Sequence, residues 1–272
     1  MGAWGYCLFE SDHDFDMIGD MSHEAGLIKL EEDAKARAKA EGKSDKEVDA
    51  IFYSLYNCSD PELVRSYLDS GVLVDMIAKK QAKMLSPLTG SQDERLEYWM
   101  SDPCYTYVLL AACAMTLGCR LPDTYIAMLK KVYTEGGLMP QAQQQMKKAL
   151  FGPDGYINGV PYDFESKTIL DVANSSAHED EKDNGLDFVC LNVPSPGGLF
   201  STGMTTSTTS AVLKELRAQL NKPDACGGCG AKEGAGKKVL LLCSKCRNRK
   251  YCSTECQKKS WKIHKVCDPA MI

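Results

Sequence analysis

The sequence predicts a mainly α-helical protein in three parts. These are an N-terminal helical domain (residues 1–173), a flexible linker (174–224) carrying a short amphipathic helix (211–221), and a small cysteine-rich module (225–268). Three observations predict this. Up to about residue 173, apolar positions recur at helical spacing between recognisable caps. From Asn174 to Ser210 the composition turns to Ser, Thr, Gly, Pro, Asp and Glu with few large apolar residues, too little to support a core. Beyond that, seven of the thirteen cysteines fall between Cys226 and Cys267.

The helices follow in order. Ser11 or Asp12 caps a segment that places Phe15, Ile18 and Met21 on one face. "LIKLEEDAKARAKAEG" is rich in helix formers and stops at Gly42, as helices commonly do. Ser44 and Glu47 form the S-x-x-E pattern of a capping box at the start of "SDKEVDAIFYSLYNC". "DPELVRSYLDSG" has Asp60 as cap, Pro61 at the first helical position and Gly71 as terminator. An apolar segment runs from Val72 to Leu85. "DPCYTYVLLAACAMTLG" repeats the Asp-Pro start and is apolar nearly all round, which marks the central core helix. "LPDTYIAMLKKVYTEGG" and "MPQAQQQMKKALFG" complete the helical set. Asp154-Gly155 and Asn158-Gly159 then signal turns, giving a short hairpin or an ordered loop. In the linker, "AVLKELRAQL" aligns Leu213, Leu216 and Leu220 behind Ser210 as cap.

Composition bounds the function. No apolar run reaches the roughly 18 residues of a membrane span, so no membrane partner is expected. The N-terminus lacks the basic start and long apolar core of a secretory signal, which predicts a cytoplasmic or nuclear protein. The odd cysteine total and the C-x-x-C clustering argue against a disulfide framework. The six cysteines between Cys7 and Cys190 read as small buried apolar residues. Charge is segregated: Cys226–Cys267 carries eleven Lys and Arg against two acids, while the rest holds 21 basic and 35 acidic residues. Opposite signs suggest two modules with different partners.

The chemistry concentrates in the tail. Cys226-Gly-Gly-Cys229 and Cys243-Ser-Lys-Cys246 are two C-x-x-C pairs, followed by Cys252, Cys256, His264 and Cys267. A tight turn in C-x-x-C aims two thiolates at one point. Cys252 and Cys256, four apart, share a helix face, as do His264 and Cys267, three apart. Eight such ligands suffice for two tetrahedral zinc ions with no open position, so both zincs are expected to be structural. Thiolates with an imidazole favour zinc; an iron–sulfur cluster is the runner-up, disfavoured by the histidine and by the lack of the bacterial cluster spacing. Metal binding supplies the free energy a core this small lacks, about 10–16 kcal/mol apparent per structural zinc at neutral pH.

The order C-x2-C, C-x2-C, "YC-x3-C-Q-x3-W-x2-H-K…C" resembles the MYND-type zinc finger over under a fifth of the chain, with Tyr251, Gln257 and Trp261 at matching places. The resemblance implies interleaved ligands. Cys226, Cys229, Cys252 and Cys256 would hold one zinc, and Cys243, Cys246, His264 and Cys267 the other. The family has three residues between its last His and Cys; here only Lys265 and Val266 intervene. On a helix either spacing keeps the two ligands on one face, so the second site is expected to survive. The loop "GAKEGAGKKVLLL" is also long for the family and reads as a flexible hairpin.

The resemblance further implies a protein–protein interaction (adaptor) protein, with a transcriptional setting among the possibilities. Its finger would dock short proline-containing peptides by strand addition near Gln257 and Trp261. The plainer reading packs Trp261 over the zinc core and uses Gln257 to cap a turn. The lysines either offset the negative charge of the thiolates or form a docking surface for acidic partners.

Two alternatives stay open: a nucleic-acid-binding regulator that uses the basic finger, and an enzyme whose active site lies in the helical domain with the finger as targeting module. No catalytic residue is assigned. H-E-x-x-H fails at both His23-Glu24 and His178-Glu179, where Leu27 and Lys182 take the second histidine's place. The acidic cluster Asp12, His13, Asp14, Asp16, Asp20, His23 and Glu24 reads as a charged helix surface, with a divalent-metal site as the competing reading.

Overall fold

The computed structural model describes residues 5–88, 102–165, 210–232 and 239–267; of the linker expected over 174–224, residues 174–209 lie outside them. The chain is mainly helical, with a two-stranded antiparallel ladder in the cysteine-rich tail. Helix α1 (Asp12–Glu24) starts at Ser11, whose hydroxyl accepts the Asp14 amide, and α2 (Leu27–Ala40) follows at once. Next come α3 (Asp45–Asp49), α4 (Pro61–Tyr67) and α5 (Leu73–Leu85). Helix α6 (Pro103–Leu117) precedes α7 (Asp123–Val132) and α8 (Pro140–Phe151). The tail holds α9 (Ala211–Asn221), strands β1 (Leu241–Leu242) and β2 (Lys250–Tyr251), and α10 (Thr254–Cys267).

Helix α6 is the centre of the core. Thirteen of its fifteen residues are buried, so its apolar character all round is matched by contacts all round. Helix α5 runs along it, and α1 and α7 cover other faces. Tyr125 packs its ring edge-on against Tyr107, 4.7 Å between centroids, and donates its hydroxyl to the Tyr107 carbonyl. Cys58, Cys104, Cys113 and Cys119 are buried and Cys7 is half-buried; Cys190 lies outside the described residues. The turn signals after α8 give an ordered loop without strands, held where Asn158 bonds both the amide and the carbonyl of Leu121.

One expectation for a single element is corrected and one is borne out. The capping box of Ser44 and Glu47 forms, but α3 ends after five residues. Beyond it the backbone finds tertiary partners: the Tyr53 amide donates to Glu31 and the Leu55 amide to Ser22, while Leu55 is fully buried. Those bonds outweigh continued helix across the β-branched and aromatic Ile51-Phe52-Tyr53, which favours helix little. Gly71 ends the helical run that α4 begins, as expected: it stands at φ 124° in a kink between that run and α5, a value only glycine reaches without strain. Burial of Leu68 and Leu73 on either side keeps the joined helices against the core.

Helix α9 forms over the residues predicted for it, but it does not stand free in a linker. Leu213 and Leu216 enter the main core, Arg217 donates from Nε to the Met84 carbonyl, and Asn221 donates to the Leu85 carbonyl. The Ser210 hydroxyl accepts the Leu213 amide and donates to Glu135. Helix α10 lies along α9 in turn. The tail is therefore seated on the helical domain through α9. No described helix is long and apolar enough to cross a membrane.

Candidate metal centre

Two clusters of metal-type donors form in the tail, and they interleave along the chain. Cys226, Cys229, Cys252 and Cys256 bring their sulfurs within 4.8 Å of one another, as do Cys243, Cys246 and His264 with their donor atoms. Within the first cluster Cys252 lies 3.5 Å from each of the other three sulfurs. A zinc about 2.3 Å from each sulfur would space the corners of its tetrahedron about 3.8 Å apart. The cluster therefore needs little adjustment to accept the ion. In the second, Cys246 Sγ stands 3.3 Å from His264 Nε2.

Local sequence builds these positions. A Cβ on Gly228 would lie 2.6 Å from that of Cys256, so the Cys226–Cys229 turn approaches α10 only because it has no side chain there. Strand β1 pairs with β2 in the register Leu241↔Tyr251 and Leu242↔Lys250, which places Cys243 beyond one strand and Cys252 beyond the other. Cys256 and His264 sit two turns apart on α10. Tyr251 fills the space between, its ring 5.8 Å from that of His264 and nearly perpendicular to it.

Electrostatics prepare the thiols. Burial pushes Cys226 up, but the amides of Cys252, Cys229 and Gly228 together outweigh it and bring the thiol down to about 6. Cys243 is lowered in the same way: burial opposes ionisation, and the amides of Cys246 and Lys245 and the Gln257 side chain overcome it. Cys252 goes the other way, raised to about 12 by its bonds to Cys229, Cys256 and Cys226. Four sulfurs this close cannot all ionise unaided; a dication among them removes that penalty. The donors fit zinc, soft thiolates with one imidazole, and the two clusters suit two zinc ions.

The remaining predicted residues fall as follows. Gln257 donates from Nε2 to Cys243 Sγ at 3.4 Å, which orients a sulfur where a turn cap was the plainer expectation. Trp261 is half-buried, packs against the His264 ring at 5.8 Å, and carries the Lys245 ammonium over its face at 5.9 Å. Cys267 is not in the second cluster. It is 2% exposed, belongs to the main core, and its thiol donates to the Val212 carbonyl at 3.9 Å. Of the long first loop (230–242), residues 233–238 lie outside the described residues, and its end forms β1 (Leu241–Leu242).

Among the described residues no further group of three or more metal-type donors converges. In the acidic patch of α1, Asp16, Asp20 and His23 stay exposed. Asp14 is turned inward instead, accepting bonds from the Phe9 amide and the Tyr105 hydroxyl.

Sequence reasoning missed Arg249. It is 4% exposed and pairs through Nε with Glu215 of α9 at 2.9 Å. The signal was faint: one arginine inside a lysine-rich stretch and one glutamate in a short amphipathic helix.

Residues 225–267 match the MYND finger family, a zinc-binding protein–protein interaction module. A 30-residue stretch is 60% identical to the Homo sapiens histone-lysine N-methyltransferase SMYD3, covering 11% of this chain and 7% of that protein. No solved structure matches.

Proposed function

We propose that the protein is an adaptor whose two-zinc finger docks an extended, proline-containing segment of a partner protein and holds it beside the helical domain. The surface at the edge of β1 carries this reading. Leu241 and Leu242 are 60% and 56% exposed, unusual for a strand unless something covers it. Gln257 reaches the residue that follows β1, and Trp261 lies one helical turn beyond Gln257. An extended peptide added along β1 would take backbone bonds from the strand and apolar contact from the leucines, with Trp261 as its aromatic anchor. A nuclear or cytoplasmic place and a part in transcription are consistent with that role. Methyltransferase activity belongs to the name of a protein sharing only the finger and is not carried over.

The test is an array of proline-containing peptides probed with the full chain and with Trp261→Ala and Leu241→Asp. Both variants are expected to keep the parent's zinc content and lose at least tenfold in affinity for the peptides it selects. Selection of the same peptides with unchanged affinity would remove the β1 surface from the proposal.

A further inference from the structure

The second cluster leaves one corner of a tetrahedron unassigned. Cys267, which the family pattern would put there, lies three residues after His264, where the family has four. Four residues turn an α-helix through about 400° and three through about 300°. The shorter spacing thus carries the thiol about 100° around the α10 axis. Sharing a broad helix face is not the same as converging on one ion.

The thiol is also engaged elsewhere. It bonds the Val212 carbonyl and lies in the same apolar cluster as Leu213, Leu216 and Ile263. The Cys267 carbonyl accepts the ammonium of Lys131, a buried residue of α7, at 3.2 Å. Its side-chain and carbonyl partners therefore belong to α9 and α7, while the partners of Cys243 and Cys246 belong to the finger.

We propose that Cys267 is not a zinc ligand. The second zinc is held by Cys243, Cys246 and His264 with an oxygen donor at its fourth position, and Cys267 fastens the last turn of α10 to the helical domain. Three protein ligands and one exchangeable oxygen describe a zinc that can accept another group, in contrast to the closed four-thiolate site. The oxygen is that of a water molecule, the usual fourth ligand where zinc has three protein ligands.

Loading the full-length protein with cadmium-113 tests this without mutation, because scalar coupling links each metal to the protons of its own ligands. The expected spectrum joins one cadmium to the β-protons of Cys226, Cys229, Cys252 and Cys256. The other is joined to those of Cys243 and Cys246 and to the His264 ring, with no correlation from Cys267. A correlation from the Cys267 β-protons to either cadmium overturns the proposal. As an independent arm, Cys267→Ala is expected to bind two zinc ions with less than a twofold change in affinity, whereas Cys246→Ala loses one. Loss of one zinc from a Cys267→Ala protein that circular dichroism shows to be folded also overturns it.

Discussion

The ion pair between Arg249 and Glu215 places two charges where water scarcely reaches: the side chains are 4% and 10% exposed. Removing one partner strands the other, which typically costs about 3–5 kcal/mol. Arg249→Met is expected to destabilise the protein in that range by urea unfolding, and the double variant Arg249→Met with Glu215→Leu to recover much of the loss. Asp14 offers a test by pH. Burial raises its carboxyl above the usual carboxylate range, against the lowering effects of the Tyr105 and Ser11 bonds. A raised folded-state value means the stability contributed by the protonated form is complete below the unfolded value and is lost as pH rises through the folded one. Measured against Asp14→Asn, the parent should lose stability as pH climbs from the ordinary carboxylate range, and the urea midpoints of the two across that interval check it. Single residues were legible where their chemistry leaves few alternatives. Cysteine pairs at C-x-x-C spacing announced a metal, and Asp-Pro announced a helix start at both Asp60 and Asp102. Cys267 was not legible, because spacing reports the face of a helix and leaves open a rotation of about 100° within it.

At the scale of elements, α9 shows what periodicity can and cannot say. Its leucines and the Ser210 cap defined the helix, yet nothing in eleven residues states what their apolar face meets. The structure answers with α5 and α7. Leu213 is fully buried in that contact, so Leu213→Ala is expected to cost about 2–5 kcal/mol, read as a lower denaturation midpoint for the whole helical part. The shortening of α3 escaped the sequence for a related reason. It is decided by tertiary bonds outside the local window, to Glu31 and Ser22, whereas the break at Gly71 was legible because glycine alone takes its backbone angles without strain. In the finger, Gly228→Ala pushes a methyl into the backbone of Cys256. It should weaken metal binding at the four-thiolate site by at least tenfold, with the second site little changed, measured by competition with a chromophoric chelator.

At the scale of the molecule, the tail is continuous with the helical domain. Leu213, Leu216, Ile263 and Cys267 contribute to the core that surrounds α6, and the Arg249–Glu215 pair ties the finger to α9. A structural zinc that organises α10 therefore also supports part of that core. Chelation is expected to lower the melting temperature of the helical domain, by about 2–4 °C for each kcal/mol transmitted. Calorimetry of the loaded and stripped full-length protein reads this directly; an unchanged helical transition would mean that the contacts transmit nothing.

The placement of the thiols also sorts their reactivity. In the helical domain burial pushes Cys104, Cys113 and Cys119 well up, Cys119 to about 12, and such groups give almost no thiolate for an electrophile or peroxide to meet. Cys226 is held down at about 6 and Cys229 is exposed. An oxidant is accordingly expected to meet the exposed Cys229 of the tail before the buried thiols of the helical domain, so that damage would begin at the metal cluster.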